Sequence, residues 1–89
     1  MQTIKYVKQP VAVIVAISKD GQIRPLKFQW KDGRTYTIDR VSKIERAAST
    51  KVGGCGIRYT VMVEGLPRFL YDEEGKWFME DEVLIEVTE

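Results

Sequence analysis

The fold class is decided by one hairpin-forming segment, Leu26-Lys27-Phe28-Gln29-Trp30-Lys31-Asp32-Gly33-Arg34-Thr35-Tyr36-Thr37-Ile38. Apolar and polar residues alternate on both sides of Asp32-Gly33, which is the period of a strand with one buried face. An Asp-Gly pair between two alternating runs is a strong signal for a β-hairpin, because glycine tolerates a positive φ. The segment therefore predicts a hairpin whose inward-facing side chains are Leu26, Phe28, Trp30, Tyr36 and Ile38.

Strand signals continue on both sides of this hairpin. The run Val11 to Ile17 is apolar on both faces and rich in β-branched residues, which favours a covered strand over a helix. Pro25 cannot donate a hydrogen bond, so the next strand is expected to begin there or to lie at an edge. Asp81-Glu82 breaks the alternation near the end of the chain. Further strands are expected over 57–63, 68–71, 76–79 and, as a last strand or a packed tail, 83–87.

Residues 39–50 allow two interpretations. Their apolar side chains have helical spacing, and Asp39 could cap such a helix. A strand with a bulge near Arg40 explains the same positions, because a bulge shifts the inward-facing phase by one residue. We expect the bent strand. The glycine-rich segment 51–56 that follows is expected to be a loop, with an anion-binding nest of backbone N–H groups as a minor alternative.

These segments predict one all-β domain that spans residues 1–89. Six or seven short antiparallel strands of this kind bury their apolar faces by curling into a small, SH3-like barrel. No alternation of strands and helices is present, which excludes a parallel α/β sheet. The longest apolar run is too short to span a membrane, and a single cysteine indicates a cytoplasmic protein.

The residue types needed for common catalytic sites are missing. The chain has no histidine and one cysteine, Cys55. A cysteine or serine nucleophile would lack its usual base, and a zinc site of the ordinary kind cannot be built. The acidic residues of 72–74 and 80–82 match no calcium loop and are expected to form a solvated face. We therefore expect no enzyme, no cofactor and no metal site.

The charge is unevenly distributed along the chain. Residues 1–60 hold 12 basic and 4 acidic side chains, whereas residues 61–89 hold 2 basic and 9 acidic ones. Basic strands that carry aromatic residues could bind nucleic acid, but alternation places the aromatic side chains on the opposite face, so such binding is expected to be weak. The candidate nucleic-acid contacts are Lys27, Arg34, Arg40, Lys43 and Arg58.

Four segments carry a resemblance to known proteins: Arg24 to Trp30, Gly33 to Asp39, Gly56 to Thr60, and Lys76 to Phe78. With them the chain from about Val11 to Glu80 resembles a family of small, uncharacterised SH3-like-barrel proteins of low-GC Gram-positive bacteria. The resemblance implies a stand-alone cytoplasmic bacterial domain. It implies no activity and assigns no functional residues.

Two functions of different classes remain after these exclusions. The first is a non-catalytic binding module that acts through protein–protein contacts, by an edge strand or by an exposed aromatic pair, Trp77-Phe78. The alternative is a nucleic-acid-binding small barrel that uses the basic strands. Another protein is therefore the expected partner, a homo-oligomer is compatible with the sequence, and no membrane contact is expected.

Overall fold

The computed structural model describes residues 2–48 and 55–86, and these residues form eight strands. All ladders between them are antiparallel. The described residues contain no helix at all, hence none that is long and apolar enough to cross a membrane. The strands are β1 (Gln2–Pro10), β2 (Ala12–Ile17), β3 (Ile23–Gln29), β4 (Thr35–Thr37), β5 (Arg40–Ala48), β6 (Cys55–Val63), β7 (Leu66–Glu73) and β8 (Lys76–Glu86).

The strands make two sheets whose inner faces pack against each other. One sheet has five strands in the order β1-β8-β7-β6-β5, and the other has three in the order β2-β3-β4. An all-β fold is therefore confirmed. Among the described residues the two sheets are not joined by a ladder into a closed barrel, so the barrel part of the prediction is not confirmed. The core between the sheets contains Phe28, Ile38, Tyr59, Val61, Val63, Leu70 and Met79.

The hairpin of β3 and β4 is confirmed, with Phe28 opposite Tyr36 and their rings stacked at 5.4 Å. Its turn differs from a two-residue Asp-Gly turn. The Gly33 N–H donates to the Trp30 carbonyl at 3.0 Å, and the Trp30 N–H donates to the Arg34 carbonyl at 2.8 Å. Gly33 has φ of 88°. This is a three-residue loop closed by a left-handed glycine, the next most common hairpin connection.

The inward position expected for Leu26 is wrong. On β3, Pro25 pairs with Val15 and Lys27 pairs with Ile14, so Leu26 is the extra residue of a bulge. Leu26 is 37% exposed, whereas Pro25 is fully buried. A bulge reverses the inward-facing phase of the strand before it, which is why alternation counted back from Phe28 fails at Leu26. The bulge also tolerates the missing N–H of proline.

The bent strand expected for residues 39–50 is confirmed over β5. Its ladder with β6 shifts register between Val41 and Lys43, which makes Ser42, two residues after Arg40, the bulged residue. The bulge places Val41 and Ile44 on the same face, opposite Val61 and Tyr59, but only Val41 packs against the core, and Ile44 is 58% exposed. Helical spacing of apolar residues is thus produced here by a strand with one extra residue.

The two ends of the described chain pair with each other, which local sequence patterns did not indicate. Residues 2–10 form a full strand, and β8 continues through Asp81-Glu82, where an interruption was expected. The reason is mutual pairing, because β1 and β8 form a ladder from Gln2 opposite Glu86 to Pro10 opposite Phe78. Strand β6 also begins at Cys55, inside the expected loop, while residues 51–54 lie outside the described part.

Candidate functional site

The five-stranded sheet forks between β7 and β8. These two strands pair over three residue pairs only, from Glu73 opposite Lys76 to Tyr71 opposite Phe78. Beyond that point, residues 66–70 of β7 stay paired with β6, and residues 79–86 of β8 pair with β1. The facing edges of the two strands then have no ladder between them. We call the space between residues 66–70 and residues 79–82 the fork.

A groove of about 510 Å³ lies at the fork. This is within the range of about 300–1,000 Å³ that ligand sites occupy. Three aromatic residues of the opposite sheet, Phe28, Trp30 and Tyr36, line it, and Phe28 and Tyr36 stack on each other. The groove is therefore apolar and aromatic on the side of the three-stranded sheet. Its walls are built from Val63, Glu64, Leu66, Arg68, Met79, Glu80, Asp81 and Glu82.

The groove carries a negative charge. Four carboxylates and one guanidinium line it. One carboxylate is neutralised from the other sheet, since Lys31 Nζ lies 2.5 Å from Asp81 Oδ2. Glu82 Oε1 accepts a hydrogen bond of 3.2 Å from the Tyr6 hydroxyl, which is uncharged and leaves the carboxylate's charge in place. A cationic ligand would therefore be attracted to this end of the sandwich.

Along the fork, the side chains of β8 on the inner face differ in their contacts from those on the outer face. Met79 is buried in the core, and Asp81 reaches the three-stranded sheet through Lys31, so both are on the inner face. Side chains alternate along a strand, which places Glu80 and Glu82 on the outer face. The fork thus presents an aromatic floor on one side and carboxylates on the other.

A second polar cluster lies on the outer face of the five-stranded sheet. Arg58 Nε donates to Glu45 Oε1 at 3.1 Å, and Lys43 Nζ lies 3.3 Å from Glu45 Oε2. The hydrogen bond from Arg58, followed by that from Lys43, lowers the pKa of the Glu45 carboxyl below its usual value. The Arg58 guanidinium also lies 4.5 Å from the centroid of the Phe69 ring.

The five residues predicted to contact nucleic acid do not form one surface. The register of β5 and β6 places Arg40, Lys43 and Arg58 on the outer face of the five-stranded sheet. Lys27 lies on the outer face of the other sheet, opposite Thr37, and Arg34 lies in the β3–β4 turn. The two outer faces point in opposite directions, so a single nucleic-acid strand could not follow all five residues.

Sequence reasoning missed one aromatic neighbour of these basic residues. Phe69 is 44% exposed and shares the outer face with Arg58. Alternation within one strand cannot reveal this pair, because the two residues lie on neighbouring strands. Lys43 and Arg58 are both bound to Glu45, however, which reduces the positive charge available to phosphate groups.

The exposed position expected for Phe78 is wrong. Phe78 is 2% exposed and stacks on the buried Tyr71 at 4.9 Å. The Lys8 ammonium covers the Phe78 ring at 4.5 Å from its centroid. Trp77 is half-buried and packs against Tyr59 at 5.3 Å between ring centroids. Phe78 is therefore inaccessible to a partner, and Trp77 offers only part of its surface.

No group of three or more potential metal ligands is found within residues 2–48 and 55–86. The anion nest expected at Gly53-Gly54-Cys55-Gly56 falls half outside the described part, and its other half, Cys55 and Gly56, is the start of strand β6. Comparison of the chain with protein-family models, with curated proteins and with solved structures finds no match. The resemblance to small Gram-positive proteins stays a prediction, and the site must be interpreted from its own geometry.

Proposed function

We propose that the protein is a non-catalytic binding module that takes an extended, basic segment of a partner protein into the fork. The observation that supports this most directly is the end of the β7–β8 ladder at Tyr71 and Phe78, although both strands continue. Unpaired strand edges are templates for an added strand, and strand addition is a common mode of peptide recognition.

The chemistry of the fork favours a particular kind of segment. An extended segment directs successive side chains to opposite faces. Its inward side chains would contact the aromatic floor formed by Phe28, Trp30 and Tyr36, so apolar residues suit these positions. Its outward side chains would lie beside Glu82, which accepts a hydrogen bond from the Tyr6 hydroxyl and keeps its charge, so lysine or arginine suits the alternate positions. The proposed ligand is therefore a strand in which apolar and basic residues alternate.

The test is a titration with synthetic peptides, monitored by the fluorescence of Trp30 in a Trp77→Phe background. A Lys-Val-Lys-Val-Lys-Val peptide is expected to bind, whereas Glu-Val-Glu-Val-Glu-Val is not. A third peptide is the basic peptide with its lysine backbone nitrogens methylated. It lacks the N–H donors for some of the strand hydrogen bonds and should bind at least about 10-fold more weakly than the unmethylated basic peptide. Equal binding of the methylated and unmethylated basic peptides would contradict strand addition.

Two charge reversals on the same strand supply a matched control. Glu82→Lys places a positive charge in the fork, and Glu86→Lys makes the same change four residues further along β8, outside the groove. We expect Glu82→Lys to weaken binding of the basic peptide on the order of 10-fold and Glu86→Lys to have little effect. Equal loss in both variants would indicate a general charge effect and would contradict binding at the fork.

A further inference from the structure

The free edge of β2 carries neither the charge nor the proline that usually protects an edge strand, and just before it the Val11 N–H donates to the Trp77 carbonyl at 3.1 Å. Strand β2 lies at the end of the order β2-β3-β4, and within the described residues it forms a ladder with β3 only. Its residues, Ala12 to Ile17, include no charge and no proline. Native proteins normally block such edges with lysine, proline or a bulge. The bulge in the β2–β3 ladder has its extra residue on β3, so it leaves the β2 edge regular.

The sequence of this edge is a palindrome. Ala12-Val13-Ile14-Val15-Ala16 is the same in both directions about Ile14. When two copies pair antiparallel about Ile14, Ala12 lies opposite Ala16 of the second copy, and Val13 lies opposite Val15 of the second copy. Antiparallel pairing about a two-fold axis is reciprocal for any sequence, and the palindrome makes the two residues of each opposed pair identical. Pairs of β-branched residues opposite one another also stabilise a sheet.

Charges near β2 permit the pairing. The basic neighbours on the outer face are Arg24 and Lys27 of β3, opposite Ala16 and Ile14. In the paired dimer, β3 and its copy are separated by three strand spacings, which is about 14 Å. This exceeds the screening length of about 8 Å at physiological salt, so repulsion between the basic residues of the two copies is small.

The protein exposes more surface than a compact chain of its mass. Its accessible surface is 6445 Å². A compact monomer of 10.3 kDa is expected to expose about 5,350 Å². The excess is spread over an elongated molecule of 57 × 25 × 20 Å, and β2 carries one part of it. Ile14 contributes to this exposed surface, since it is 59% exposed at the centre of the palindrome.

We propose that the protein forms a two-fold dimer in which the β2 strands of two copies pair antiparallel about Ile14. The two three-stranded sheets become one six-stranded sheet. The interface is separate from the fork, so the dimer does not depend on the proposed peptide binding, and the two sites remain available together.

Disulfide trapping tests the register of the dimer. In a Cys55→Ser background, I14C places two cysteines opposite each other across the axis and is expected to form a covalent dimer under mild oxidation. In A12C the two cysteines are about 14 Å apart, well beyond the ~7 Å limit for a disulfide, so the variant should not cross-link. A12C/A16C should cross-link again. Equal cross-linking of A12C and I14C, or none in I14C, would overturn the proposal.

The mass in solution supplies an independent test. Light scattering of the wild-type chain, measured from about 1 μM to about 1 mM, is expected to give twice the 10.3 kDa of the monomer at the upper end. I14K should shift the protein to a monomer. Ile44 on β5 is equally exposed, at 58%, so I44K is the matched control and should leave the dimer intact. A wild-type monomer throughout, or equal effects of I14K and I44K, would overturn the proposal.

Discussion

Gly56→Ala tests whether β6 and β7 approach each other as closely as the structure indicates. Gly56 lies in β6 with φ of 156°. A Cβ built at this position collides with the carbonyl oxygen of Asp72 and lies 3.1 Å from both the Asp72 carbonyl carbon and the Glu73 Cα. All three atoms belong to the backbone of a paired strand, so no side-chain rotation can relieve the contact.

The cost of this substitution can be estimated from its two components. Overpacking that forces backbone shifts costs about 1–3 kcal/mol, and a residue held at an unfavourable positive φ costs about 1–3 kcal/mol more. We expect a total loss of about 3 kcal/mol in the free energy of unfolding. For a domain of this size such a loss lowers Tm by roughly 12–24 °C. It removes a large part of the ~4–13 kcal/mol expected for 89 residues.

Gly33→Ala is the control that separates the cost of an unfavourable φ from the cost of a steric collision with the neighbouring strand. Gly33 also has a positive φ, 88°, but a Cβ there meets nothing within 4 Å. This variant should lose only about 1–2 kcal/mol from the unfavourable dihedral angle. Urea unfolding of both variants and of the wild type, followed by far-UV circular dichroism, measures the difference. A Gly56→Ala variant no less stable than Gly33→Ala would refute the close approach of β6 and β7.

Three further outcomes are expected. Glu74 occupies a two-residue turn with φ of 53°, and Gly75 follows with φ of 84°. Because asparagine tolerates a positive φ better than glutamate, Glu74→Asn should raise the free energy of unfolding, measured in urea, by about 0.5–1 kcal/mol. A loss of stability would contradict the turn type. The lowered pKa of Glu45 stabilises the folded state at pH values above the carboxyl pKa of the unfolded chain, and this stabilisation disappears as pH falls through the folded-state pKa. The Tm difference between wild type and Glu45→Gln should therefore shrink between pH 6 and pH 3, and a constant difference would show that Arg58 does not act through the ionised carboxylate. Fluorescence anisotropy with labelled oligonucleotides should give a Kd for nucleic acid no lower than about 1 μM at ~0.15 M salt, and a plot of log affinity against log salt concentration with a slope no steeper than about −4. Tighter binding that is lost in Arg40→Ala but not in Lys27→Ala would instead assign nucleic-acid binding to the outer face of the five-stranded sheet.

Local sequence was sufficient for the elements whose structure depends on neighbouring residues. The β3–β4 hairpin follows from alternation and from a glycine that must have a positive φ. The bent strand β5 was one of two interpretations of residues 39–50, and the bulge at Ser42 decides between them. The absence of histidine, a property of composition alone, means that this sequence cannot supply a histidine base or a histidine zinc ligand.

Only the tertiary structure decided which strands pair. Residues 2–10 carry too little alternation to predict a strand, and they become one because β8 supplies partners that lie 68 (Pro10–Phe78) to 84 (Gln2–Glu86) positions away in sequence. The ladder between β7 and β8 ends at Tyr71 and Phe78, which opens the fork, and no local pattern in either strand indicates this end. Cross-strand ladders depend on contacts between distant segments, so periodicity within each segment leaves them undetermined.

The same distinction applies to individual side chains. Alternation placed Phe28 correctly in the core, but it could not show that Lys8 of β1 covers the Phe78 ring. The palindrome about Ile14 is visible in the sequence, whereas the position of β2 at the edge of a sheet is a property of the folded chain. Where a strand is regular, the sequence thus determined which side chains point toward the core and which point outward. Only the tertiary structure decided which residues of other strands those side chains contact, because strand order is set by burial of apolar surface over the whole chain.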